Sequence, residues 1–378
     1  MKNKGKISIS SIIIIILIFI IIGCITYGIV FTDFLGLFKE EDSDISIGGL
    51  VNAFIQTDSS EEENSENITT YVPINVGSNN NQNTTTSTAG YKYYYNQLNE
   101  YGKIIYDGFE DNKENMKSGT YVIDFGTEFN DLLNTTGGEE ILNVAFQSAW
   151  NAYTYDNMDL FYIDVEKLTL VTRTTSLGNI STHTVELSNG DNTSYLKEGF
   201  NTEEKIDETL NLLEAMREEI NRQISQYDDI EKMRQVHNWL INTVEYDMDF
   251  ESDEPYSIVG TLLDGKAVCE GYARTFKYIM DEIGIPCVLV SGTGTNSNGE
   301  TESHAWNYVE INGNWYAIDV TWDDPVAIGN AYITDEDRYA NFLKGSNSFF
   351  RDHLEDGYLS PGSMEFSFPE LNRSDYSY

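Results

Sequence analysis

Residues 7–32 carry no charged side chain, and residues 12–31 are almost wholly apolar, beginning with five consecutive isoleucines at Ile12. A helix of about 20 apolar residues crosses a bilayer core and satisfies its own backbone hydrogen bonds there. The pattern therefore predicts one transmembrane helix within residues 1–38. Lys2, Lys4 and Lys6 precede it, which puts the N-terminus in the cytoplasm and the chain beyond Asp33 outside. A competing reading takes Ile21-Ile22-Gly23-Cys24 as a lipoprotein processing site with Cys24 acylated. The apolar run continues through Ile25, Tyr27, Ile29, Val30 and Phe31. A lipidated cysteine would open a polar tether there, so the uncleaved anchor is favoured.

The pattern then breaks. Residues 39–90 hold acidic stretches at 40–44 and 61–63, and an Asn/Ser/Thr-rich stretch at 79–89 without a large apolar residue. Such a composition buries too little surface to offset its ordering entropy, so a disordered stalk is predicted. A short apolar patch at 45–54 is its one candidate for a transient helix. Order resumes near Tyr91. An aromatic-rich helix is expected from Tyr93 to about residue 106, strands over 120–125 and 160–173, and a helix over 141–155. A longer helix is expected over 203–225. Thr202 can cap it, and Ile206, Leu210, Leu213, Met216, Ile220 and Ile224 recur at three- and four-residue steps. Another helix over 228–245 carries Ile230, Met233, His237, Leu240, Ile241 and Val244 on one stripe. These elements divide the outer chain into an α+β extension at 91–225 and a second domain at 226–378.

Charge narrows the partners. The 378 residues include 62 Asp and Glu against 23 Lys and Arg, a formal net charge of −39. Such a surface repels phosphate backbones, which argues against nucleic acid, and it lacks a basic patch for anionic lipid. Cysteine occurs only at Cys24, Cys269 and Cys287, too few for a disulfide scaffold or an all-cysteine zinc site. The histidines His183, His237, His304 and His353 form no HExxH pair. No cofactor or metal motif is read.

The chemistry-bearing region runs from Tyr246 to Asp324. After Gly265-Lys266-Ala267-Val268, Cys269 opens a helix marked by Tyr272, Phe276, Ile279, Met280 and Ile283 and stopped by Gly284 and Pro286. Unsatisfied N–H groups and the positive dipole end at a helix N-terminus favour a thiolate. A strand over 287–291 and a polar loop over 292–303 follow. Residues 304–311 and 314–320 then alternate as two strands around Asn312-Gly313, a strong hairpin signal. In that register Asp319 lies opposite Trp306, and His304 opposite Thr321. His304 and Asp319 become diagonal neighbours on one face, about 7–8 Å apart at the backbone. Ala305, Val309, Ile311, Tyr316, Ile318 and Val320 form an apolar core face on the other side. A thiol nucleophile needs a base, and the base needs an orienter that fixes its tautomer. Cys269, His304 and Asp319 supply those three roles in chain order, and the Cys269 N–H is a natural oxyanion donor.

Three blocks carry a family resemblance. They are Gly265-Lys266-Ala267-Val268-Cys269-Glu270-Gly271-Tyr272-Ala273, then His304-Ala305-Trp306-Asn307, then Trp315-Tyr316-Ala317-Ile318-Asp319-Val320-Thr321-Trp322-Asp323. Over about residues 230–325 the chain resembles the transglutaminase-like superfamily, and more weakly, from about Tyr91, the N-terminal extension of its membrane-anchored bacterial members. The resemblance implies an α+β, papain-like core with the cysteine helix packed on an antiparallel sheet. It implies Cys269 as nucleophile, His304 as base and Asp319 as orienter. The superfamily includes cross-linking enzymes, peptidases, deglycosylating amidases and inactive members. The expected activity is thiol acyl transfer on protein or peptide amides at the cell surface. A peptidase or amidase acting on envelope peptides and a non-catalytic binding module are the alternatives.

Other residues take plainer readings. Cys287 opens a Val-Leu-Val strand and reads as core, and His237 as a satisfied buried histidine. His183 and His353 show no carboxylate partner at a recognisable spacing. Trp306 and Trp322 flank the reactive face as cleft wall or as packing. Asp247, Asp249, Glu251 and Asp253 alternate like calcium ligands, but Ser252 and Ile258 stand where such a loop needs Gly and Glu, so a solvated acidic loop is expected. Tyr246 and Tyr256 are candidates for an oxyanion hydroxyl. Residues 331–378 are expected to complete the domain with Tyr339, Phe342, Phe349 and Phe350.

Overall fold

The computed structural model describes residues 55–58, 92–190, 194–248, 254–324, 334 and 337–378. The predicted anchor, Cys24, the 45–54 patch and the acidic residues Asp249, Glu251 and Asp253 lie outside these. Among the described residues no helix is long and apolar enough to cross a membrane.

The first half pairs helices with a mixed sheet. Strand β1 (Ile55–Asp58) falls within the segment read as a disordered stalk, yet pairs in parallel with residues 170–173. Helix α1 (Glu100–Met116) begins later and runs further than expected, because Asn99 caps it by accepting a bond from the Gly102 N–H at 2.8 Å. Next come β2 (Ile123–Gly126), the short α2 (Asn130–Leu133) and α3 (Gly138–Asp156). Helices α1 and α3 pack through aromatic rings: Phe109 stacks on Tyr153 at 5.4 Å and meets Trp150 edge-on at the same distance. Strands β3 (Thr169–Leu177) and β4 (Ile180–Ser188) form a hairpin across Gly178-Asn179, and the sheet order is β1-β3-β4-β2. Only the first of these two strands was expected, and its range began nine residues early.

The second half begins with α4 (Glu203–Ile224) and α5 (Asp229–Thr243), close to their predicted bounds. Thr202 and Asp228 cap them by accepting from the Lys205 and Glu231 N–H groups. A two-residue parallel pair, β5 (Glu245–Tyr246) with β6 (Lys266–Ala267), leads into α6 (Cys269–Glu282). Strands β7 (Cys287–Thr295), β8 (Thr301–Ile311) and β9 (Asn314–Ile318) follow, then α7 (Ser346–Phe349) and β10 (His353–Glu355). The antiparallel sheet has the order β10-β7-β8-β9. Asn307 pairs with Ile318 and Tyr308 with Ala317, which is the predicted register. The region expected as a loop at 292–303 instead lengthens β7 and β8, which pair out to Thr295 and Thr301.

The hairpin has two buried faces rather than one. On one side the Asn307 amide donates to the Ala273 carbonyl of α6 at 2.9 Å. On the other, Trp306 packs on Phe349 and Tyr308 on Phe349 and Phe368. The C-terminal segment supplies that second cover, so polar-looking positions of β8 are buried as well. The two halves share one continuous core. Tyr94 donates its hydroxyl to the Leu289 carbonyl, and Arg274 reaches the Thr154 carbonyl at 2.7 Å.

Asp156 sits at the end of α3 and accepts from the Tyr94 and Tyr95 N–H groups. Burial pushes its carboxyl up to about 6, against the pull of those bonds. Its folded form therefore holds a proton more tightly than the unfolded chain. The stability this group supplies is complete below about pH 3.9 and is lost as pH rises through about 6. Asp156→Asn is expected to remove up to about 3 kcal/mol of the decline between pH 4 and 7. Urea melts of both proteins across that range check it, and parallel curves would contradict it.

Candidate active site

The β5–β6 pair fixes the approach to the thiol. Glu245 N–H donates to the Gly265 carbonyl at 2.8 Å, Asp247 N–H to Ala267 at 2.9 Å, and Val268 N–H to Pro255 at 3.0 Å. Gly265 turns the chain with φ of +68°, a left-handed conformation that suits glycine. Val268 occupies the N-cap of α6 without a side-chain cap. Cys269 thus stands at the helix end whose N–H groups and dipole stabilise negative charge. It is half-buried, whereas Cys287 is fully buried and its thiol is pushed far up by burial. Cys287 is core, as expected. Gly271 allows the tight loop: a Cβ there would lie 2.2 Å from the Pro255 carbonyl. Gly271→Ala is expected to lower stability by about 1–3 kcal/mol, and thermal melts measure it. An unchanged melting temperature would mean that the Pro255 loop yields freely.

β8 and the end of β9 bring in the other two groups. His304 Nε2 lies 2.7 Å from Asp319 Oδ2, so Nδ1 remains for the thiol. Asp319 is wholly buried, and its Oδ1 accepts from the Thr321 and Trp322 N–H groups at 3.0 and 3.2 Å. Burial alone would lower the proton affinity of His304. The Asp319 charge and hydrogen bond, with Cys269 beyond, override it and raise the imidazole well above its usual value. Burial alone would raise Asp319, but His304 and then His353 hold its carboxyl far below the usual range. The structure brings Cys269, His304 and Asp319 together.

His353 is the residue that sequence reasoning missed. It lies 34 positions beyond Asp319 and reaches the site only through the pairing of β10 with β7, where it stands opposite Gly294. Its Nε2 is 3.1 Å from Asp319 Oδ2, and its Nδ1 is 2.7 Å from Asp352 Oδ1. The absence of a partner expected for it is corrected. His183, by contrast, stays in the β3–β4 hairpin, its Nδ1 2.9 Å from the Thr174 hydroxyl. His237 is the satisfied buried histidine that was expected, 3.0 Å from Asp323 Oδ2. Asp323 also accepts from the Asn341 N–H, which ties the segment after β9 to α5.

Aromatic rings frame His304. Trp322 stacks on His304 at 5.1 Å and stays half-buried, so it walls the site. Trp306 is 1% exposed and belongs to the core. Of the two tyrosines considered for the oxyanion, Tyr246 is close enough to Cys269 to feel its charge, after burial the largest influence on its hydroxyl. Tyr256 is exposed. A groove of about 410 Å³ opens beside α6, lined among others by Trp150, Phe161, Tyr256, Glu270 and Arg274. It reaches the residue next to the thiol. Among the described residues, His304, Asp319 and His353 are the group whose ligand atoms converge tightly enough for an ion, within 4.8 Å. In this arrangement the two imidazoles each lie at hydrogen-bond distance from Asp319 Oδ2.

Comparison with known proteins agrees with the residue pattern. Residues 218–320 match the family model of the transglutaminase-like superfamily. Kyphoscoliosis peptidase of Homo sapiens is 29% identical over 148 residues, 34% of this chain and 21% of that protein. Its Mus musculus counterpart is 31% identical over 107 residues, 25% of this chain and 16% of that protein. The chain thus spans about a fifth of the length of these relatives. A crystal structure of a TGase aligns with a TM-score of 0.28 and 16% identity, over 45% of this chain and 48% of that one.

Proposed function

Residues 218–320 form a transglutaminase-like domain, and from that premise we propose a membrane-anchored enzyme that performs thiol acyl transfer on protein or peptide amides outside the cell. The observation that carries this reading is the Cys269 thiol at an uncapped helix N-terminus beside a His304 whose far nitrogen is held by Asp319. The thiolate attacks the amide carbonyl carbon, and the C–S bond forms as the C–N bond breaks. His304 gives its proton to the departing nitrogen. An amine or water then attacks the thioester, His304 takes the proton from it, and the thiolate returns. The Cys269 N–H faces the developing oxyanion. The groove beside Glu270 and Arg274 offers the substrate chain a place to lie. The lysine-flanked apolar run at 7–32 supplies the tether.

A second reading, hydrolysis of a peptide bond by the same thioester route, is favoured by the peptidase name of the matched relatives. One experiment separates the two. Glutamine-containing peptides are incubated with the full-length chain, with and without a labelled primary amine, and read by mass spectrometry. Amine incorporation that depends on Cys269 supports transfer. Cleavage or deamidation that ignores the amine supports hydrolysis. Neither product, with Cys269 no more reactive than an ordinary thiol, would reject both.

A further inference from the structure

Asp319 has two imidazoles on one oxygen. His304 Nε2 and His353 Nε2 both approach Oδ2, at 2.7 and 3.1 Å, while Oδ1 is occupied by two backbone N–H groups. The other nitrogen of His353 is not free either, since Nδ1 faces Asp352 Oδ1 at 2.7 Å. Each ring nitrogen of His353 therefore faces a carboxylate oxygen. A neutral imidazole has one N–H and one lone pair, and either tautomer would turn its lone pair onto a carboxylate. Only the doubly protonated ring donates to both. Its surroundings suit a cation. Phe349 stacks on the ring at 3.9 Å, and Trp322 and Trp306 lie at 4.4 and 5.1 Å. The ionisable groups around it are Asp352 beside it in the chain, Asp319 after β9, and His304 on β8 with ring centroids 5.7 Å apart. Glu355, on the same strand, is turned to the Tyr308 hydroxyl.

We infer that His353 is a buried imidazolium that positions Asp319 and, by sharing that carboxylate with His304 and repelling its charge, sets the protonation range of the Cys269–His304 pair. The inference rests on the proposed role of that pair. Asp319 would otherwise pull on His304 alone and hold its proton too tightly for a base. A second cation on the same oxygen weakens that pull, and it stabilises the thiolate through space. His353 is a positioning residue, since it touches neither the thiol nor a substrate.

The test reads Cys269 directly. The full-length chain is alkylated with iodoacetamide from pH 4 to 10, and the labelling rate of Cys269 is followed. A thiolate–imidazolium pair gives two inflections, one as the thiolate forms and one as His304 deprotonates. His353→Gln keeps a donor for Asp319 Oδ2 and removes the charge. Both inflections are expected to move upward by about one pH unit. Asp352→Asn, at a half-exposed position, is expected to move them in the same direction by less. A role limited to bracing Asp319 would slacken the Asp319–His304 bond and move the upper inflection downward. Nitrogen-15 histidine spectra of the wild-type chain, assigned by the signal lost in His353→Gln, are expected to show both His353 nitrogens protonated at pH 7. A singly protonated His353, or inflections that stay or fall in the folded variants, overturns the inference. A wild-type Cys269 that titrates once near about 8.5, like a free thiol, instead rejects the proposed function, while the spectra still report the charge of His353.

Discussion

Asp319→Asn is expected to lower turnover by about 10³–10⁴-fold and to destabilise the fold as well. The first effect follows from the tautomer of His304. With a carboxylate at Oδ2 the base keeps its proton on Nε2 and presents Nδ1 to the thiol. An amide NH₂ in that place would demand the opposite tautomer. The second effect follows from the symmetry of demand on Asp319. Its Oδ1 accepts two backbone N–H groups and its Oδ2 accepts two imidazole nitrogens. Asparagine has one acceptor end and one donor end, so its NH₂ either meets the two backbone N–H groups as donor against donor, or meets the two imidazoles and forces both from donor to acceptor in a site closed to water. A loss of about 2–4 kcal/mol is expected. Product formation from the glutamine-containing peptides, read by mass spectrometry, measures the first, and thermal melts measure the second. A variant that melts like wild type and turns over at the wild-type rate would remove Asp319 from the mechanism.

The part of the site carried by local signals was legible. A helix stop, an Asn-Gly turn and period-two alternation are properties of short windows. They placed Cys269 at its helix end and paired β8 with β9 in the observed register. What stayed hidden depends on contacts distant in sequence. The strand β10 is three residues long and has no pattern of its own, yet its pairing with β7 carries His353 to Asp319. The second buried face of β8 had the same cause, because its cover comes from Phe349 and Phe368. Gly178-Asn179 is a two-residue hairpin signal, and it joins β3 to the unexpected β4. In β7 and β8 the run of Gly, Thr, Asn and Ser reads as a loop on composition. Gly292 and Gly294 instead sit in a strand where a Cβ would strike Leu354 and Trp322. Close approach, not looseness, accounts for those glycines.

The ion pair at the centre also makes stability depend on pH, in a direction that can be worked out for each partner. The Asp319 carboxyl is lowered by folding, so its contribution is present above the unfolded value of about 3.9 and lost as pH falls through the folded one. The His304 imidazole is raised by folding, so its contribution is complete below about 6.5 and lost as pH rises through the folded value. Both are in force together between about pH 4 and 6.5. His304→Gln removes the charge and leaves a donor near Asp319, whose carboxylate then loses one of the two imidazoles bonded to its Oδ2. Breaking one side of a buried pair costs about 3–5 kcal/mol, and the surviving bond from His353 holds this case to the lower end. The gap between wild type and variant is expected to be widest near pH 5.5 and to narrow as wild-type His304 deprotonates in alkali. Urea melts of the two proteins from pH 4 to 10 trace that gap. A constant gap across the range would mean that His304 stabilises the fold by packing against Trp322 and Trp306, with its charge contributing nothing.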